Sequence, residues 1–207
     1  MYSSKGIVLI ILFLITCHVA ASSAEDLATE GNLLYDQDQF EEALDVFDQA
    51  LAIDPHNLEA LNGKGKTLKS LGRYEEAIDL YDMAISVDPR YKKAWNNKGI
   101  ALIYLEEYDE ALEMLNESLR LDPGYAKAYS NRAWCLNLAG RYREALESAR
   151  NATNLLPDYA LGWDNLGNAQ YGLEMYPDAV RSYETALEID PSLSEAQEGI
   201  EKAKAEI

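Results

Sequence analysis

The 207-residue chain is poor in the side chains that most often do chemistry. It holds two cysteines and two histidines. Two cysteines cannot build a disulfide framework or a four-thiolate zinc site. Two histidines leave little for imidazole acid–base work or metal ligation. Bases are scarce as well: 18 Lys and Arg stand against 36 Asp and Glu, a formal net charge of −18. Nucleic acid and anionic membrane surfaces both call for a basic patch, so neither is an expected partner of the chain as a whole. A single long apolar run exists, and it lies at the N-terminus. With 48% apolar residues, the remainder has ample material for a packed core.

Residues 1–24 are built differently from the rest. Lys5 precedes an apolar run from Gly6 to Cys17, and small residues follow from Val19 to Ala24. This stretch contains no acid, and Glu25 and Asp26 come directly after it. That order is the pattern of a secretory signal peptide, with Val19-x-Ala21 and Ser22-x-Ala24 each offering small residues to a peptidase. An uncleaved N-terminal anchor is the alternative, since Gly6–Ala21 lies near the short limit of the roughly 17–25 residues that span a bilayer. A lipoprotein reading through Cys17 is weaker, because Thr16 is larger than such a site prefers. The chain is thus expected to be exported: extracellular, periplasmic-like, or held on the outer face of the cytoplasmic membrane. Any membrane contact is expected only through residues 1–24. Cleavage would remove Cys17 and leave Cys135 with no internal partner.

The prolines that are present set a period. Pro55, Pro89, Pro123, Pro157 and Pro191 are spaced 34 residues apart. Blocks of that length starting at Ala24 bring other columns into line. Position 8 reads Gly31, Gly65, Gly99, Ala133, Gly167, and position 20 is Ala43, Ala77, Ala111, Ala145, Ala179. Position 27 is Ala50, Ala84, Ser118, Ala152, Ala186, and position 17 is aromatic throughout: Phe40, Tyr74, Tyr108, Tyr142, Tyr176. Each block carries two apolar patterns of helical period. Small residues at three columns let two helix backbones approach closely, and the aromatic fills the wedge where they diverge. Asp-Pro at positions 31–32 ends the second helix. Pro177 falls in the first turn of a second helix, where proline is tolerated.

This pattern resembles the tetratricopeptide repeat (TPR) family, in five tandem copies: residues 24–57, 58–91, 92–125, 126–159 and 160–193. The family's aromatic at position 4 appears as Trp95, Tyr129 and Trp163. The resemblance implies an all-α fold, a right-handed superhelical solenoid of five antiparallel helix pairs, with residues 194–207 as a C-terminal capping helix. Gln170 stands where the other repeats carry Leu34, Leu68, Leu102 and Leu136. Ala149 and Leu115 stand where Phe47, Tyr81 and Tyr183 are larger. These departures suggest a looser junction between the fourth and fifth repeats.

Several local motifs carry less than they seem to. Asn62–Thr67 imitates the end of a phosphate loop, but its first glycine would be Ala60 and no strand precedes it. Asp36 and Asp38 lack the Gly and distal Glu of a calcium loop and read as a solvated turn. His56 reads as an exposed turn residue and Cys135 as a small buried one. Asn116 and Asn151 begin glycosylation sequons at positions expected to be exposed. No catalytic residue, metal site or cofactor is predicted, and the chain is not expected to be an enzyme.

In the family, partner segments lie in the concave groove formed by first helices. The resemblance places Lys66, Lys69, Lys93, Asn97, Ile100, Tyr104, Lys127, Asn131, Trp134 and Asn165 on that face. Of the 36 acids, 25 fall between positions 15 and 31 of the repeats, mainly on the second helices. The groove of repeats two to four is therefore expected to be basic and apolar within an acidic protein, which suits an extended and acidic protein segment. Asn97, Asn131 and Asn165 recur at one column and could pair with a peptide backbone. A carboxylate clamp of the kind some TPR domains use is scrambled here: Asn97 and Lys127 match it, but Asn62, Lys66 and Asn131 stand at its other three positions. The expected function is a non-catalytic, monomeric protein-interaction scaffold. The alternative is a structural or self-associating envelope solenoid without a peptide ligand.

Overall fold

A computed structural model describes residues 22–207. The leader expected over residues 1–24 lies almost wholly outside the described residues. Five helix pairs follow, one per repeat: α1 (Ala24–Asp36) with α2 (Phe40–Ile53), α3 (Leu58–Ser70) with α4 (Tyr74–Val87), α5 (Lys92–Tyr104) with α6 (Tyr108–Leu121), α7 (Ala126–Leu138) with α8 (Tyr142–Leu155), and α9 (Ala160–Gly172) with α10 (Tyr176–Ile189). A single helix, α11 (Ser194–Ala205), closes the stack. The described residues contain no strand.

Local chemistry sets the helix ends. The Ser23 hydroxyl accepts from the Asp26 N–H at 3.1 Å, and the Asp26 carboxylate accepts from the Ser23 N–H at 3.1 Å. This capping box satisfies two donors that the first turn of α1 leaves free. Four of the second helices end on Asp-Pro, and α8 ends on Leu156-Pro157. Asp54, Asp88, Asp122 and Asp190 each accept, through Oδ1, the backbone N–H two residues on, at 2.9–3.0 Å. These turns hold the chain open at the point where the proline ring forbids another helical turn. Within each repeat the reversal passes through one residue of positive φ: Asp38, Gly72, Glu106, Gly140 and Glu174. All five occupy position 15, so the left-handed conformation belongs to the fold and not to any one residue type.

The small columns are the core. Ala43, Ala77, Ala111, Ala145 and Ala179 are fully buried, as are Ala50, Ala84, Ser118 and Ala186. Position 8 packs directly on position 24. A Cβ added to Gly31 would sit 2.7 Å from Phe47, and one on Gly65 or Gly167 would sit 2.5 Å from Tyr81 or Tyr183. In the fourth repeat the large partner is replaced by Ala149, and there the glycine is replaced by Ala133. The two substitutions compensate each other. Leu166 and Trp163 fill the space they share. The buried Gln170 is likewise matched, its Oε1 accepting from Ser182 Oγ at 2.6 Å. The expected loosening between repeats four and five therefore does not occur, because neighbouring side chains take up the lost volume.

First helices of successive repeats touch each other, α1 with α3, α3 with α5, α5 with α7, α7 with α9 and α9 with α11, whereas no two second helices touch among the described residues. The first helices therefore converge on the inner side of the stack and the second helices splay outside. Helix α11 buries Ala196, Ile200 and Ala203 beside Tyr183, covering what would be an exposed apolar end.

Candidate functional site: the inner groove

Six of the ten residues expected in the groove line one cavity of about 390 Å³: Lys69, Ile100, Tyr104, Asn131, Trp134 and Asn165. Its apolar wall includes Tyr104 and Trp134, the inner part of an aromatic ladder across three repeats. Tyr74 stacks on Tyr104 with centroids 5.0 Å apart, and Tyr104 meets the Trp134 ring edge-on at 5.4 Å. Tyr104 is nonetheless 49% exposed, and Leu138 and Leu161 stand exposed beside the same groove at 50% and 45%.

The lysines divide. Lys66 Nζ lies 4.2 Å from the centre of the Tyr35 ring, and Lys69 Nζ lies 6.0 Å from that of Tyr104. Both are half-buried, and burial lowers the pKa of each. For Lys66 the carboxylates of Asp36 and Glu59 oppose that shift while Lys93 and Lys127 reinforce it; for Lys69 the charge of Lys66 reinforces it. Lys93 is not a free groove cation. Its Nζ pairs with Glu59 at 3.0 Å, and it faces a separate cavity at the N-terminal end beside Glu25 and His56. Lys127 is exposed and has no ion pair among the described residues.

The asparagine column is partly spent on the fold. Asn97 Nδ2 donates to Asn62 Oδ1 at 2.7 Å, Asn131 Nδ2 to Asn96 Oδ1 at 2.8 Å, and Asn165 Nδ2 to Ser130 Oγ at 3.1 Å. Each bond joins position 6 of one repeat to position 5 of the repeat before. The amides thus tie consecutive first helices together and set the curvature of the face on which a ligand would lie. Asn97 and Asn131 remain only half-buried and keep hydrogen-bonding capacity toward the groove.

Two acids line the same cavity, Asp164 and Glu195. Asp164 is legible in the sequence as the one acid of the position-5 groove column. Glu195 escaped that reading, since it sits on the capping helix outside the repeat.

The remaining motifs behave as plain structure. The Thr67 hydroxyl donates to the Gly63 carbonyl inside α3, so no phosphate loop forms. Cys135 is buried against the Tyr108 carbonyl, and burial pushes its thiol up to about 12. Asn116 is exposed, whereas Asn151 is half-buried, less open than expected. Among the described residues, no cluster of His, Cys, Asp or Glu could hold a metal ion, and no helix is long and apolar enough to cross a membrane.

Comparison with known proteins points one way. Tetratricopeptide repeat models match residues 34–97, 93–125, 114–147 and 160–193. No curated protein matches the chain. Among solved structures, the chain is similar to TTC0263, a thermophilic TPR protein of Thermus thermophilus, at 23% identity and a TM-score of 0.77, over 88% of this chain and 100% of that one. It is similar to YrrB, described as a TPR protein with an unusual peptide-binding site, at 25% identity and a TM-score of 0.61, over 90% and 96%. A MamA structure aligns at 24% identity and a TM-score of 0.64, over 79% and 96%. Repeat columns, helix pairs and family models agree, and the chain belongs to the tetratricopeptide repeat proteins.

Proposed function

We propose that this protein is a non-catalytic, monomeric scaffold on the extracytoplasmic side that holds an extended segment of another protein in its inner groove. The observation that carries this reading is the exposed apolar surface of Tyr104 and Leu161, which line one groove cavity with Trp134, and of Leu138 in the adjoining cavity, on inner helices of a highly acidic protein. Contiguous exposed apolar surface rimmed by polar groups marks an interaction site. Lys66, Lys69 and Lys127 give the middle of the strip a basic flank that favours acidic residues in the segment. The peptide-binding description of YrrB, a structural neighbour, adds support. Export is supported by the composition of residues 1–24. Cleavage after Ala21 leaves the Ser23 capping box intact, while cleavage after Ala24 would remove the cap and a buried residue. The mature chain is accordingly expected to start at Ser22, which the intact mass of the exported protein checks.

The binding claim is tested by replacing Lys69, Lys127 and Trp134 together with Ala and recovering the crosslinked partner from native cells. Loss of recovery is expected, with full recovery from an outer-face control that replaces Glu75, Asp79 and Met83. Equal recovery from both variants would overturn the groove assignment.

A further inference from the structure

The C-terminal end of the groove holds a carboxylate that the repeat architecture does not use. Asp164 occupies position 5 of the fifth repeat, where earlier repeats carry Ala28, Asn62, Asn96 and Ser130. It is only 8% exposed. Its Oδ2 accepts from Asn168 Nδ2 at 2.9 Å, and Asn168 is itself oriented by Tyr183, whose hydroxyl donates to Asn168 Oδ1 at 2.9 Å. This relay fixes the carboxylate and leaves Oδ1 buried with no partner among the described residues. Buried polar atoms without a partner are uncommon and call for an explanation.

The surroundings suggest what completes it. Asp164 and Glu195 line both the groove cavity and an adjoining one of about 640 Å³ walled by Trp134, Tyr171 and Tyr176. Neither carboxylate has an ion-pair partner among the described residues. Two lysines share these walls, but Lys202 pairs with Glu198 at 3.4 Å and the Lys69 ammonium lies toward the Tyr104 ring. The site therefore offers unneutralised negative charge between flat aromatic surfaces. Carboxylates supply the hydrogen-bond acceptors for a cation, and aromatic faces supply the favourable contact for a planar one.

We propose that this end of the groove is a pocket for one arginine side chain of the bound segment, whose guanidinium pairs with the carboxylates of Asp164 and Glu195 while its stem lies along Trp134 and Tyr171. The proposal rests on the groove reading above and adds a chemical requirement to it. A guanidinium fits better than an ammonium because it is planar, stacks on aromatic rings and can address two acceptors at once. The segment would then carry an arginine over α9 and α11 and its acidic residues over the Lys66, Lys69 and Lys127 end, so that charge fixes its direction.

The test is selection of a random displayed peptide library on the wild-type protein and on the Asp164→Asn/Glu195→Gln variant, followed by affinity measurements on the free peptides. Wild-type binders are expected to share an arginine at one position. Replacing it with citrulline, which keeps the shape and removes the charge, should weaken binding by about tenfold or more, as should the variant. Circular dichroism melting confirms that the variant is folded. Binders that depend on Tyr104 but share no arginine, or that tolerate citrulline, overturn the arginine pocket and leave the groove reading standing. If no binder depends on Tyr104, both fall.

Discussion

At the scale of single residues, two features carry measurable costs. Burial pushes the Asp164 carboxyl from 3.8 up to about 6, against the Asn168 hydrogen bond and with Glu195 adding to the rise. The folded state thus holds this proton more tightly than the unfolded chain does. The contribution of Asp164 to stability is therefore greatest at low pH, declines between about pH 4 and pH 6, and stays low above that range. Asp164→Asn is expected to raise stability at pH 7 by about 1–3 kcal/mol and to flatten that decline. Urea unfolding across the pH range reads both effects, and an unchanged profile would show that the carboxylate is not destabilised. A residue kept at a cost to the fold, lining a groove, is what a binding role predicts. The second feature is position 15. Glu106 has φ 63°, a conformation that suits glycine, while Gly72 and Gly140 already fill the same place in other repeats. Glu106→Gly should stabilise the chain by about 0.5–1 kcal/mol, read as a rise in urea midpoint at constant m-value.

At the scale of helices and repeats, one column shows how the same side chain differs with its neighbours. Tyr81 and Tyr183 both pack on the position-8 glycine of their own repeat. The Tyr81 hydroxyl is buried with no partner among the described residues, whereas that of Tyr183 donates to Asn168. Tyr81→Phe, which copies Phe47 of the first repeat, is expected to be neutral or to stabilise by up to about 1 kcal/mol. Tyr183→Phe should cost about 1 kcal/mol, since it releases the relay to Asp164. Thermal melts check the pair: the Tyr183 variant should melt below the parent and the Tyr81 variant should not. The helices themselves were legible in the sequence because proline, alanine and glycine at fixed columns are demanded by backbone sterics, which repeat without change. The groove was less legible. The asparagine column was readable as a recurring polar position, yet its bonds run from repeat to repeat at a separation of 35 residues, and only the curvature of the stack brings those partners together. The pairing of Lys93 with Glu59 was hidden for the same reason. Ala149 looked like a weakness until its contact with Ala133 made it half of one compensated change.

At the scale of the whole molecule, the net charge of −18 describes the outside far better than the inside. Acids on splayed outer helices keep an open stack soluble. The inner face carries its own pattern: lysines over the middle repeats, a central aromatic strip, and carboxylates without an ion pair among the described residues where the fifth repeat meets α11. A segment held in the proposed groove would read this local pattern and not the global charge. The most direct test of the account is site-specific photocrosslinking in native cells, with a benzophenone side chain placed at Tyr104 in the groove or at Met83 on an outer helix. The account predicts that Tyr104 yields one discrete crosslinked polypeptide and that Met83 does not. The same product from both positions, or a product from Met83 alone, would contradict it.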